Sequence, residues 1–149
     1  MRTKTLKSKA EEMGRVVVSA KIENLGDQWA VREGLKAPSE VRWLEVDNAL
    51  VDTGTSGLGL PKKLIKELGL KQFTERPVNT TNGVRKAKIY DAVRLTVQGR
   101  DCILDVTDVS ANCPVLIGQI PLELMDFIVE PKRRRLVGAH GDQPLFDHF

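Results

Sequence analysis

The sequence predicts an all-β fold, a small β-barrel or sandwich with one or two short helices. Three observations carry this. Residues 15–23, RVVVSAKIE, alternate with a period of two, Val16, Val18, Ala20 and Ile22 on one face and Arg15, Ser19, Lys21 and Glu23 on the other. An Asn82-Gly83 pair, a strong two-residue turn signal, separates two strand-like runs. The other apolar runs are short, with two brief helical patterns and no internal repeat.

Composition sets the outer bounds. A chain of 149 residues can bury a proper core as one domain. Aromatic residues are only 5%, so that core must be built mainly from Val, Leu and Ile. Lys plus Arg exceed Asp plus Glu by 23 − 20 = 3, too weak a bias to indicate nucleic acid as a partner. No run of 18 apolar residues is present, so no membrane span is expected. The opening MRTKTLKSKAEEMG is charged and lacks the apolar centre of a secretory signal. Residues 1–14 therefore read as a loose tail, 15–139 as the folded domain and 140–149 as a C-terminal tail. Cys102 and Cys113 form no CxxC and have no His cluster beside them. Two reduced thiols and a cytoplasmic setting are expected.

The elements follow in order. Residues 15–23 are a half-buried strand. Residues 24–40, with two Gly and one Pro and no clear period, read as a long connection holding at most one turn of helix. A second strand, 41–51, ends in the continuous apolar run Ala49-Leu50-Val51, followed by the turn DTGTSG. PKKLIKEL is a short helix, with Pro61 suiting its first turn, Leu64, Ile65 and Leu68 on one face and Gly69 as its stop. Residues 73–98 form a hairpin about Asn82-Gly83, and a turn at Gly99-Arg100 leads into DCILDVTDV. PVLIG is a short buried strand, PLELMDF a second helix, and FIVEPKRRRLVGA a closing hairpin about Pro131-Lys132. Trp29 and Trp43 read as core or loop anchors.

The stretch ALVDTGTSGLGLP, 49–61, asks for chemistry. A carboxylate at the end of a buried strand is costly unless donors satisfy it. The residues after Asp52 can do so: Gly54 permits a close backbone approach, and Thr53, Thr55 and Ser56 bring hydroxyls. The plainer alternative is an Asx turn with no further role. Two phosphate-binding readings fail. Gly54 and Gly59 have P-loop spacing, but Leu60 and Pro61 stand where Lys and Ser or Thr belong. Gly57-Leu58-Gly59 lacks the third glycine of a dinucleotide fingerprint.

With these residues together, the chain resembles the aspartic proteases, in their single-domain, retropepsin-like branch with its bacterial members. Apolar residues leading into Asp52-Thr53-Gly54-Thr55 resemble the family's active-site loop. Leu116-Ile117-Gly118, followed by a short helix, resembles the strand that crosses beneath that loop. The Asn82-Gly83 hairpin lies between them, where the family has its flap. The likeness spans roughly residues 15–139.

The resemblance implies a small closed β-barrel and an endopeptidase without cofactor or metal. The family's chemistry needs two facing carboxylates, and this chain has one Asp-Thr-Gly, so the resemblance implies a homodimer with Asp52 from each copy on the two-fold axis. Asp52, Thr53 and Gly54 would be catalytic, Thr53 bonding across the dimer and Gly54 allowing close approach. Thr55, Leu116, Ile117 and Gly118 would support the loop. Thr81, Asn82, Gly83 and Val84 would be the flap tip over an extended peptide. The alternative is a catalytically silent dimer that binds peptides or acts as a scaffold.

Two positions depart from the retroviral pattern. Gln119 stands where those members usually have Arg, so an ion pair tying the helix to the dimer is missing. Thr55 stands where many have Ala. A hydroxyl donating to the Asp52 carboxylate would favour its charged form, and an acidic optimum below about pH 6 is then expected. KRRR, 132–135, has no flanking aromatics and reads as a solvated turn rather than a nucleic-acid site. His140, Asp142, Asp147 and His148 have the spacing of no known metal site. Leu145, Phe146 and Phe149 are apolar for a free end and could equally pack on a partner copy.

Overall fold

The computed structural model describes residues 15–80 and 83–142. The N-terminal tail, Thr81 and Asn82 of the expected flap tip, and Leu145, Phe146, Asp147, His148 and Phe149 lie outside the described residues.

Strand β1 (Val16–Asn24) turns Val16, Val18, Ala20 and Ile22 inward, as its alternation requires. It pairs antiparallel with β2 (Trp43–Val51), with a register shift between Val18 and Ala20. Next in chain order are β3 (Leu58–Pro61), α2 (Lys62–Glu67), β4 (Gln72–Thr80), β5 (Gly83–Val97), β6 (Arg100–Val109) and β7 (Leu116–Ile117). The sheet runs β1-β2-β7-β3-β6-β5-β4, and β1 also pairs with β5. Six strands thus close into a ring, and β4 hangs from its β5 side. The core inside is Val, Leu and Ile, including Ile22, Leu58, Leu60, Leu95, Val106 and Ile117.

Residues 24–40 are more ordered than their composition suggests. They hold a two-turn helix, α1 (Leu25–Arg32), and a 3-10 turn, Pro38–Glu40. The cause is local capping joined to a distant tie. The Asn24 side chain accepts from the Asp27 N–H at 2.9 Å and donates to the Leu68 carbonyl at 2.8 Å. Asp27, 3% exposed, accepts from the Arg42 backbone N–H, Nε and Nη2, each at 2.9 Å, and from Lys36 Nζ. The Arg42 guanidinium, against the opposing effect of burial, holds the Asp27 carboxyl far below the ordinary carboxylate range.

Other differences from expectation have simple reasons. Leu58 to Pro61 form β3, all four buried, so no alternation marked them as a strand. Pro61 ends that strand and stands just before α2, not in its first turn. Gly69 takes φ +70° after α2, as a stop residue should. Trp29 and Trp43 are 52% and 56% exposed, so neither anchors the core. Lys21 Nζ stacks over the Trp43 ring, 5.0 Å from its centre. The helix near PLELMDF, α3 (Gln119–Leu124), starts two residues early. β8 (Phe127–Glu130) and β9 (Arg135–Gly138) make the closing hairpin, and the basic run turns on exposed residues with Arg134 at φ +52°. Cys102 and Cys113 are free thiols. Burial, with Asp101 beside it, pushes the Cys102 thiol up to about 12. No helix among the described residues is long and apolar enough to cross a membrane.

Candidate active site

The end of β2 fixes Asp52. Ala49 and Val51 are buried, and Leu50 and Val51 lie in parallel register with Leu116 and Ile117 of β7. The Asp52 N–H donates to the Ile117 carbonyl at 2.9 Å, so the parallel ladder runs right up to the aspartate. The chain then turns sharply. The Thr55 N–H donates to the Asp52 carbonyl at 3.1 Å. The Gly54 N–H donates to Asp52 Oδ1 at 2.9 Å, an Asx turn that orients the carboxylate. Oδ2 has no hydrogen-bond partner among the described residues. The side chain is thus held through one oxygen and presents the other.

Beneath the loop lies the start of α3. The N–H groups of Gly118, Gln119 and Ile120 donate to the carbonyls of Gly57, Thr55 and Ser56 at 2.8, 2.9 and 2.8 Å. Helix N-termini leave such donors unpaired, and here the loop's carbonyls satisfy them. Gly118 is required by contact. A Cβ on it would stand 2.6 Å from the Gly57 and Thr55 carbonyl oxygens. Ile117, wholly buried, and half-buried Leu116 complete this support.

Thr55 behaves differently from its sequence reading. Its hydroxyl donates to the Asp52 backbone carbonyl at 3.0 Å, not to the carboxylate. It braces the turn, and the hydroxyl-based argument for an acidic optimum loses its donor. Gln119 spends its side chain within α3, donating to Glu123 Oε1 at 3.0 Å. Thr53 is exposed on the loop.

A cleft of about 430 Å³ opens over this floor. Thr53 to Gly59, Leu116 and Gln119 line it from below, Thr107 and Val109 of β6 from the side, and Val78, Asn79 and Arg85 of the β4–β5 hairpin from above. Gly83 pairs with Thr80 and has φ +108°. Val84 is 71% exposed and lies outside the lining, so on the described residues the hairpin meets the cleft with Arg85 instead. The sequence held a signal for this. Stepping back along β5 by twos from Ile89 through Ala87 reaches Arg85, although exposed Asp91 and a register shift separate this stretch from the inward row Val93, Leu95 and Val97.

A rigid carboxylate with one free oxygen, beside a groove roofed by a hairpin, suits activation of a water against an extended polymer. The comparison with known families agrees: residues 41–120 match the aspartyl protease family. This segment runs from just before β2 to the first turn of α3 and contains both Asp52 and Gly118. The chain belongs to the aspartyl protease family. Among curated proteins, none matches it.

Proposed function

We propose that the chain is a homodimeric aspartic endopeptidase that hydrolyses extended peptides with Asp52 from each copy. The observation that supports this most directly is the Asp52 carboxylate, fixed through Oδ1 by the Gly54 N–H, with no partner for Oδ2 among the described residues, in a loop whose next residues, Thr53 and Gly54, line the cleft. One such carboxylate cannot serve as both acid and base. Two copies bring two together across a two-fold axis, with Thr53 of each loop at the junction. Facing carboxylates share one proton, because both do not ionise readily at close range. The ionised one takes a proton from a water held between them, and the protonated one donates to the scissile carbonyl. Water attacks directly, and no acyl-enzyme forms.

The peptide lies extended between the loop floor and the hairpin, which closes over it through its tip at 81–84. Leu116, Ile117, Gly118 and Thr55 keep the loop in place. No metal, cofactor, membrane or nucleic acid enters the scheme. A reducing, cytoplasmic setting suits the two free thiols.

The test incubates the protein and its Asp52→Asn variant with a diverse peptide mixture from about pH 3.5 to 7.5 and reads products by mass spectrometry. Asn keeps the size and an acceptor for the Gly54 N–H, but cannot relay a proton. Cleavage by the parent alone, with a bell-shaped pH profile and a dimer in sedimentation, is the expected result. Equal behaviour of both proteins at every pH would transfer the site to a non-catalytic, peptide-binding role.

A further inference from the structure

Arg85 breaks the pattern of its strand. Going inward along β5, Ala87, Ile89, Val93, Leu95 and Val97 are buried and apolar, and the row is interrupted only at exposed Asp91, where the strand register shifts between Tyr90 and Val93. Arg85 is the next position in that row, at the point where β5 leaves the core and overhangs the cleft. Its cross-strand partner Val78 lines the same cleft. A simple roof would continue the apolar row, and this one ends in a guanidinium.

That guanidinium is little used by its own chain. It donates to the Lys86 and Asp108 carbonyls, both at 3.3 Å, and forms no ion pair with a carboxylate among the described residues. Three of its five N–H donors remain available. Arg85 also borders a second depression, about 770 Å³, with Lys62, Lys63 and Asp108. The two depressions share Arg85 and Val109, so they adjoin. Three cations there face one carboxylate, and Asp108 Oδ1 already accepts from the Lys88 N–H at 3.3 Å.

We infer that Arg85, with Lys62 and Lys63 behind it, forms a subsite for an acidic side chain of the bound peptide. The inference rests on the peptide-cleft reading above and adds the substrate class. A Glu or Asp carboxylate can accept two parallel N–H bonds from Arg85, and the lysines add to the attraction. A Lys or Arg side chain at the same place meets like charge and is rejected.

The test uses one cleavable peptide with Glu, Gln or Lys placed in turn at each position around the scissile bond. Parent, Arg85→Gln and Arg85→Glu proteins are compared by kcat/KM, with thermal midpoints confirming that each variant is folded. At one position the parent should prefer Glu to Gln by about three- to tenfold at low salt. Added salt should shrink that preference. Arg85→Gln should abolish it, and Arg85→Glu should turn it toward Lys. The same Glu-to-Gln ratio in parent and Arg85→Gln at every position overturns the inference. Fluorescence anisotropy with the labelled peptides and Asp52→Asn protein separates this from the hydrolytic reading. Binding that favours Glu, with no cleavage by the parent, supports the subsite and removes the hydrolase. Cleavage without any acidic preference does the reverse. Absence of both binding and cleavage overturns the subsite.

Discussion

Replacing Gly118 with Ala should damage the site through contact alone. Gly118 has φ −88° and ψ −169°, extended backbone that any residue adopts, so conformational strain is not the issue. The new methyl would stand 2.6 Å from the carbonyl oxygens of Thr55 and Gly57 and 2.7 Å from the Ser56 carbonyl carbon. All three are backbone atoms, and no side chain can swing away. Reaching ordinary contact requires a shift of roughly 0.5–1 Å between loop and helix start. Overpacking of this kind costs about 1–3 kcal/mol. The three hydrogen bonds from residues 118–120 to the loop lengthen together, each worth about 0.5–1.5 kcal/mol when whole. With partial loss of those bonds the expected destabilisation is about 2–4 kcal/mol, or a fall of roughly 10 °C in Tm. A loop displaced by about 1 Å also misplaces Asp52, and turnover should drop on the order of 10²-fold. Gly57→Ala is the control. It lies in the same loop, yet nothing is within 4 Å of its Cβ position. It should stay within about 0.5 kcal/mol of the parent. Urea unfolding gives the stabilities, and peptide cleavage gives the rates. A Gly118→Ala protein as stable and active as Gly57→Ala would refute the account of how the loop is held.

Two further predictions concern charge. Asp27 is held far below its ordinary range in the folded state by Arg42, so its contribution is complete above the unfolded value of about 3.9 and is lost as pH falls below it. Asp27→Asn should therefore cost about 2 kcal/mol near neutrality and flatten the loss of stability in acid, read from urea midpoints across pH; an unchanged acid limb would show that the Asp27 tie contributes nothing. Cys102, with its thiol pushed up to about 12, should resist alkylation at about pH 8, so a native thiol titration should show at most one fast equivalent, from Cys113, and a second only on unfolding.

What could be read from sequence was whatever depended on neighbours in the chain. The inward row of β1 follows from a two-residue period, the stop of α2 from Gly69, and the pairing of β4 with β5 from a turn signal between two runs. The loop at Asp52 and the Leu116-Ile117-Gly118 strand were visible as residue types, and the structure brings them into hydrogen-bonded contact. What stayed hidden depended on distant partners. α1 is secured by Asp27 reaching Arg42 fifteen residues on, a tie with no local pattern. β3 escaped notice because burial on both faces removes alternation, and Gly59 within it reads only as part of a glycine spacing tested against phosphate-binding loops. The Thr55 hydroxyl was visible as a donor, but its acceptor, a backbone carbonyl rather than a carboxylate, was not.

The closed ring has a consequence for how the molecule behaves in concentrated solution. Closure of β1 on β5 removes the free rims that an open sheet would offer, and leaves β4 as the strand that ends the sheet. An unpaired rim is where copies add to one another and grow into fibres. Here its middle reads Glu75-Arg76-Pro77, all exposed. Pro77 has no N–H to give an incoming strand, and the two charges must be desolvated before one can settle. Exposed Phe73 stands at the far end of the strand from the hairpin turn, apart from that barrier. Within the seven-stranded sheet, the fold therefore confines its aggregation risk to the β4 rim and guards that rim at its centre.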